Sequence, residues 1–176
     1  MASIDEKNIL TILGQQIMPG GKKTINFNMA KLYTTTSVDV PIIIYRSKKP
    51  GPCVLITAGI HGDEISGVEI VRQIIAKKIN RPIADFCLDF HTGGAHRFNV
   101  PQIRVDQDDE RLCEYAKIFN APFTVFSKNI TKSYRSTCTK MNKPILLFEG
   151  GKSQISDKRI AREGVLGTMR ILRHLN

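Results

Sequence analysis

Three short apolar runs, each leading to a titratable residue, constrain the fold of this chain more than any other feature. They are CVLITA (53–58), ADFCLDF (84–90) and KPILLFEGG (143–151). Continuous apolar runs of this length are typical of strands buried on both faces, as in a parallel sheet. Alternating strands and helices predict an α/β fold with a mixed, mostly parallel sheet flanked by helices. The helical patterns that separate or follow the runs are ISGVEIVRQIIAKKI, DERLCEYAKIFN and SDKRIAREGVLGTMRILRHL.

The N-terminal part of the chain has a different pattern. KKTINFN (22–28) and VDVPIIIY (38–45) have the composition of strands, and Pro41 places the second at a sheet edge or a bend. We therefore assign residues 1–50 to N-terminal strands and connections. These lead into a single α/β domain that spans residues 1–176.

The composition is that of a globular protein with an excess of basic residues. The 176 residues carry a formal charge of +10, which suits nucleic acid, anionic membranes or small acidic substrates. The basic residues are spread along the chain without RNA-binding signatures, which disfavours nucleic acid. No apolar run approaches the roughly 18 residues of a membrane helix. The N-terminus lacks the apolar segment of a signal peptide, so we expect a cytoplasmic protein without a membrane partner. Oligomeric state is not indicated.

The four cysteines, Cys53, Cys87, Cys113 and Cys138, include no C-x-x-C pair. Cys53 and Cys87 lie within apolar runs, where a free cysteine behaves as a small hydrophobic residue. We interpret all four as reduced thiols, and a structural zinc site built from cysteines is not expected.

The residues that follow the three apolar runs form a chemically coherent set. His61 and Glu64 come after the first run, His91 after the second, and Glu149 ends the third. Ligands of open α/β sheets bind beyond the carboxyl ends of the strands, so these side chains would share one crevice if the strands are neighbours. Two histidines and one glutamate can hold zinc and leave a fourth position for water. Glu149 could then accept the proton of that water.

Plainer interpretations of the same residues stay open. Isolated H-x-x-E patterns are common at surfaces, and Glu64 at a helix start would also favour the helix dipole. Asp63 fits an N-cap or a solvated acid better than a metal ligand, and a lone His91 at a strand end needs no function. Gly59 and Gly62 permit the tight turn that a convergent site requires.

The motifs GPCVLITAGIHGDEISGVEI, DFCLDFHTGG and PILLFEGG together resemble the succinylglutamate desuccinylase/aspartoacylase family, over most of residues 38–175. These proteins are zinc-dependent amidohydrolases related to zinc carboxypeptidases, so the resemblance implies a zinc carboxypeptidase-like fold. It also implies that His61, Glu64 and His91 are zinc ligands. Glu149 matches the family's catalytic glutamate.

Two further residues are assigned by the resemblance alone. Asp89 matches the acid of the family's D-x-H motif and would orient a ligand imidazole; a strand-end acid with a structural partner is the alternative. Arg135, in SYRSTC, resembles a family arginine that contacts the acidic substrate, and a solvated arginine is the alternative.

The chain also departs from the family pattern. Before the strand that leads to His91, family members carry additional sheet structure and an Asn-Arg motif that binds a substrate carboxylate. Here Asn80 and Arg81 stand at the apparent helix end, in the wrong context, and we interpret them as a chance match. The family's C-terminal β-rich domain would begin near Asn176. The resemblance therefore implies a partial catalytic domain that lacks part of the family's core, and we expect these residues alone to hydrolyse poorly.

Two functions from different classes follow. The leading hypothesis is a hydrolase with Zn²⁺ as its cofactor, which cleaves the amide bond of an N-acyl amino acid or a similar small anionic amide. The alternative is a non-catalytic zinc-binding remnant that binds an acidic ligand or a protein partner. A basic domain that binds nucleic acid and a carboxypeptidase-like peptidase are weaker alternatives.

Overall fold

The computed structural model describes residues 9–77, 84–95 and 97–175, and these residues form two compact units. The first unit extends to Gly51, and the second begins at Pro52.

The first unit consists of two antiparallel pairs of strands. Strand β1 (Leu10–Ile12) pairs with β2 (Gln15–Ile17), and β3 (Lys22–Lys31) pairs with β4 (Ser37–Tyr45). Pro41 lies within β4. A two-stranded sheet has only edge strands, so the missing N–H of Pro41 removes no interior ladder bond. The edge position expected for Pro41 is confirmed.

A five-stranded sheet forms the centre of the second unit. Its strands are β5 (Cys53–Ala58), β6 (Ala84–Gly93), β7 (Asn99–Val105), β8 (Phe123–Phe126) and β9 (Ile145–Lys152). They lie in the order β5-β6-β9-β7-β8. Strands β5, β6 and β9 are parallel, whereas β7 is antiparallel to β9 and parallel to β8. The predicted mixed, mostly parallel sheet is confirmed, and the three apolar runs are neighbouring strands.

Within the described ranges, helices flank this sheet. The Asp109 side chain accepts a hydrogen bond from the N–H of Leu112 at 3.0 Å and so caps the second helix. Asp157 caps the last helix in the same way. No helix among the described residues is both long and apolar enough to cross a bilayer. The helices are α1 (Ile65–Ala76), α2 (Glu110–Phe119), α3 (Tyr134–Lys140) and α4 (Lys158–His174).

Alternate side chains of β6 point to opposite faces of the sheet. On one face Phe86 and Phe90 are almost completely buried. The Phe90 ring packs against Phe148 of β9 with ring centroids 5.6 Å apart, and Phe86 packs edge-on against Tyr115 of α2 at 4.6 Å. This face carries the apolar core between the sheet and α2.

The other face of β6 carries Cys87, Asp89 and His91. Cys87 packs against Cys138 of α3 and Ile145 of β9. All four cysteines are free thiols, in agreement with the prediction. Asp89 and His91 therefore lie on the face of the sheet on which α3 packs.

Strand β7 and helix α3 were not predicted from the sequence. Pro101 argues against a central strand, yet β7 lies inside the sheet between β9 and β8. The register between β7 and β9 shifts between Asn99 and Gln102, and Pro101 falls within this irregularity. Its missing N–H is thus placed where the hydrogen-bond ladder is already interrupted.

Candidate active site

A tight turn after β5 presents His61. Gly59 and Gly62 have φ angles of 71° and 78°, a left-handed conformation that residues with a Cβ rarely adopt. The N–H of Gly62 donates a hydrogen bond to the carbonyl oxygen of Gly59 at 2.9 Å. These glycines make the turn that the GIHGDE motif was expected to need, and His61 lies exposed within it.

Glu64 occupies the N-cap position of α1, but its carboxylate does not cap the helix. The residue is 4% exposed, and its Oε1 accepts a hydrogen bond from the N–H of Thr92 at 3.1 Å. Both carboxylate oxygens lie within 3.2 Å of Nδ1 of His91. Burial alone would raise the pKa of Glu64, but the hydrogen bonds from His91 and Thr92 outweigh burial and lower that pKa. Glu64 is thus directed at the end of β6 rather than at the helix amides.

His91 lies between two carboxylates. Its Nδ1 faces Glu64, and its Nε2 lies 2.7 Å from Oδ2 of Asp89. Asp89 is buried, and its Oδ1 accepts a hydrogen bond from the Thr57 hydroxyl at 2.6 Å. Burial by itself would lower the pKa of His91, but the two carboxylates raise that pKa to about 10. The structure therefore brings Asp89 to the imidazole that it was expected to orient.

Three of the predicted residues, His61, Glu64 and His91, form what we call the His–Glu–His cluster. Each offers one ligand atom, and these atoms all lie within 4.8 Å of one another. Oε2 of Glu64 is buried and makes no hydrogen bond with the described residues. Two imidazoles and one carboxylate are a donor set of catalytic zinc sites, which keep a fourth position open. The residues present therefore fit a zinc ion.

Glu149 lies beside the cluster on the neighbouring strand. It is the register partner of His91 in the parallel pair of β6 and β9. Its carboxylate accepts a hydrogen bond from the side-chain amide of Asn99, and its Oε1 lies 3.3 Å from Nε of Arg104. Three of the four residues singled out at the strand ends therefore form the cluster, and the fourth, Glu149, is paired in register with His91, because β5, β6 and β9 are neighbours.

An open pocket of about 380 Å³ adjoins Glu149, and we call it the arginine pocket. Its polar lining residues other than Glu149 were not singled out from the sequence. The sequence feature that could have identified them is the pair Arg97 and Arg104 in RFNVPQIR. Pro101 argued against a strand there, so the strand that positions Arg104 was not predicted. The pocket is lined by residues 93–95, Arg97, Asn99, Arg104 and Glu149.

Arg135 is buried on α3, and the structure does not place it among the residues that line the pocket. Its Nη2 donates hydrogen bonds to the carbonyl oxygens of Ser127 and Lys128 at 2.9 and 2.8 Å. Burial, followed by the charge of Arg104, lowers the pKa of Arg135. Its expected contact with substrate stays a prediction. The Asn80-Arg81 pair lies outside the described residues.

Several solved structures share this fold. A product-bound ectoine utilization protein from Ruegeria pomeroyi is 19% identical, with a TM-score of 0.74 over 88% of this chain and 66% of its own. A succinylglutamate desuccinylase/aspartoacylase from Rhodobacter sphaeroides is 18% identical, with a TM-score of 0.74 over 96% and 69%. A succinylglutamate desuccinylase from a Silicibacter species is 19% identical, with a TM-score of 0.71 over 95% and 69%. The chain thus spans about two thirds of the length of these relatives.

No curated protein matches the chain in sequence. The model of the succinylglutamate desuccinylase/aspartoacylase catalytic domain matches it in two stretches, residues 50–82 and 73–175. The two stretches overlap at residues 73–82. With this match over most of its length, the chain belongs to the succinylglutamate desuccinylase/aspartoacylase family.

Proposed function

We propose that this chain is a zinc-dependent hydrolase that cleaves the amide bond of an N-acyl amino acid or a similar small anionic amide. The observation that carries the proposal is the register pairing of His91 with Glu149, which sets a carboxylate beside the His–Glu–His cluster. A zinc donor set with an adjacent acid/base carboxylate has the parts of metal-assisted hydrolysis. Membership of a hydrolase family supports the reaction type.

The cluster residues would hold the metal ion, and Asp89 would hold the His91 ring through its Nε2. A zinc ion with three protein ligands supplies Lewis-acid activation of a water molecule and of an amide carbonyl. Thr57 holds Asp89 in turn, so a chain of hydrogen bonds runs from β5 to the imidazole. These two hydrogen bonds restrain rotation of the imidazole ring and keep Nδ1 of His91 directed at Glu64.

Glu149 would accept a proton from the attacking water and pass it to the leaving amine. One of its oxygens, Oε2, already accepts the hydrogen bond from Asn99. The other, Oε1, faces Arg104, but Nε of Arg104 makes no hydrogen bond with the described residues. The hydrogen bond from Asn99 and the ion pair with Arg104 together keep the carboxylate oriented for that proton transfer.

The substrate class is supported by charge and by the relatives. The formal charge of +10 favours the approach of small anions. A succinylglutamate desuccinylase and an ectoine utilization protein are among the structures with this fold. Both names are consistent with a small acylated amino acid as the substrate of this chain.

The test combines zinc content with amine release. Purified chain is analysed by elemental mass spectrometry and incubated with N-acetyl-aspartate and N-succinyl-glutamate. The variant Glu149→Gln should keep its zinc but release amine about 100- to 10,000-fold more slowly, as expected for loss of a general base. Glu114→Gln, an exposed change on α2, is the matched control and should behave as wild type.

The outcomes separate the two classes of function. Bound zinc without amine release from the wild-type chain would favour the non-catalytic remnant. Amine release that persists unchanged in Glu149→Gln would contradict the role of Glu149 and leave the reaction to another residue.

A further inference from the structure

The arginine pocket contains more positive than negative charge. Arg97 and Arg104 supply two guanidinium groups, and Glu149 supplies one carboxylate, which leaves one net positive charge. The exposed Arg97 side chain has no hydrogen-bond or ion-pair partner among the described residues. Nε of Arg104 is buried and makes no hydrogen bond within the same part of the chain. Nε of Arg104 lies 3.3 Å from Oε1 of Glu149, so the single carboxylate of the pocket faces Arg104 and the charge of Arg97 is unbalanced.

We propose that the arginine pocket binds a carboxylate group of the substrate, with Arg97 as its main ligand and Arg104 as the second. This inference rests on the proposed function, because it places an anionic amide next to Glu149. It assigns the recognition of substrate charge to β7 and the segment before it. Arg97 and Arg104 would thereby make the carboxylate contact that the Asn80-Arg81 pair, interpreted as a chance match, is not expected to make.

The charge balance favours a carboxylate over more highly charged groups. One carboxylate neutralises the single excess positive charge, whereas a doubly charged phosphate would leave the pocket negative beside Glu149. A guanidinium group presents two parallel N–H donors that match the two oxygens of a carboxylate. Residues 93–95 of the lining are two glycines and an alanine, so this part of the pocket carries no side chain larger than a methyl group.

The position of the pocket relates it to the reaction. Glu149 lines the pocket and is also the register partner of His91. A substrate whose carboxylate lies against Arg97 would have its amide directed past Glu149 toward the His–Glu–His cluster. The carboxylate can belong to the acyl group or to the amino acid, and the two sources differ in which side of the amide faces the pocket.

Three small amides distinguish these sources. N-acetylglycine carries its carboxylate on the amine side, N-succinyl-methylamine carries it on the acyl side, and N-methylacetamide carries none. Each is titrated into the full chain by NMR, which reports the dissociation constant and any amine release in the same sample. The variants are Arg97→Gln, Arg97→Lys and Arg104→Gln, and the control is Arg162→Gln, which removes an exposed charge from α4.

The expected result is selective for charge. One carboxylate probe should bind more tightly than N-methylacetamide, and Arg97→Gln should weaken that probe about 10- to 100-fold, as for the loss of a charge-assisted hydrogen-bonded pair. Arg97→Lys should retain part of the affinity, because it keeps the charge without the paired donors. Arg162→Gln should have no effect. The carboxylate probe whose binding Arg97→Gln weakens shows whether the substrate carboxylate lies on the amine side or on the acyl side.

Other results would overturn the inference. It is wrong if N-methylacetamide binds as well as both acids, or if Arg97→Gln and Arg104→Gln bind both acids like the wild-type chain. Thermal unfolding of each variant checks that it is folded, and within the described residues the exposed Arg97 side chain has no partner whose loss would destabilise the chain. Arginine-dependent binding without amine release would support the pocket and contradict the proposed hydrolase, so the two failures are distinguishable.

Discussion

The His–Glu–His cluster and the arginine pocket lie next to each other at the β6–β9 pair, but they differ in how far their polar side chains are paired with neighbouring residues. In the cluster, both ring nitrogens of His91 face carboxylates, and those carboxylates receive hydrogen bonds from Thr57 and Thr92. In the pocket, Arg97 is exposed, and its guanidinium has no partner in the part of the chain that the structure describes. Neighbouring residues hold the cluster in place, whereas in the arginine pocket the charge of Arg97 is available to a ligand.

The difference assigns separate roles to the two regions within the proposed function. Glu64 and His91 are held by hydrogen bonds from neighbouring residues, an arrangement that suits ligands of a metal ion. An open pocket lined by Arg97 and Arg104 suits a substrate that must enter and leave. Changes in the cluster should therefore remove the metal, whereas changes in the pocket should keep the metal and impair binding or turnover.

The largest expected effect is the loss of zinc from His91→Ala. The variant removes the ligand that contacts Glu64, and two remaining ligands are too few for a stable site. Zinc measured by elemental mass spectrometry should fall from about one ion per chain to nearly none. The control is His174→Ala, an exposed histidine on α4 that should retain zinc. Full zinc occupancy in His91→Ala would show that the cluster is not the metal site.

A smaller effect is expected for Asp89→Asn. The amide is nearly the size of the carboxylate but carries no charge to orient the His91 ring through Nε2. Zinc affinity should fall about 10- to 100-fold, as is typical when the partner of a ligand imidazole is changed. A competition titration with a chelating dye measures it. Asp108→Asn, on an exposed side chain, is the control, and equal affinity in both variants would contradict the orienting role.

The smallest effect is expected on the pocket side, for Asn99→Ala. This variant removes the hydrogen bond that orients Glu149 but leaves every cluster residue in place. We expect kcat to fall about tenfold, the lower end for a hydrogen bond to a charged group, with zinc content unchanged. Asn26→Ala, exposed on β3, is the control. If zinc is lost together with kcat, the two regions are not separable in the way the structure indicates.

Much of the fold could be predicted from the pattern of apolar residues. The run at 53–58 is β5 without adjustment, and the run at 84–90 is β6, which continues three residues further to Gly93. The predicted helix over 109–120 is α2 with Asp109 and Asn120 as its caps. These elements were readable because each is a local pattern with its own start and stop signals.

Strand β7 could not be predicted by the same means. Its Pro101 is a local signal against a central strand, and it is tolerated because it lies in the register shift opposite β9. That shift depends on residues about 50 positions away, as the separation of Asn99 and Glu149 shows. No local pattern contains this information.

From the sequence alone, strand-end motifs with glycine turns identified His61, Glu64 and His91 as candidate ligands, and the lengths and periods of the apolar runs indicated the class of fold. The adjacency of β5 and β6, which brings these three side chains together, is a property of the tertiary structure. The surroundings of Glu149 also depend on the tertiary structure. Strand order and register are set by the pairing of distant segments, and they place Asn99 and Arg104 against its carboxylate. Those long-range pairings, rather than any motif, made the arginine pocket.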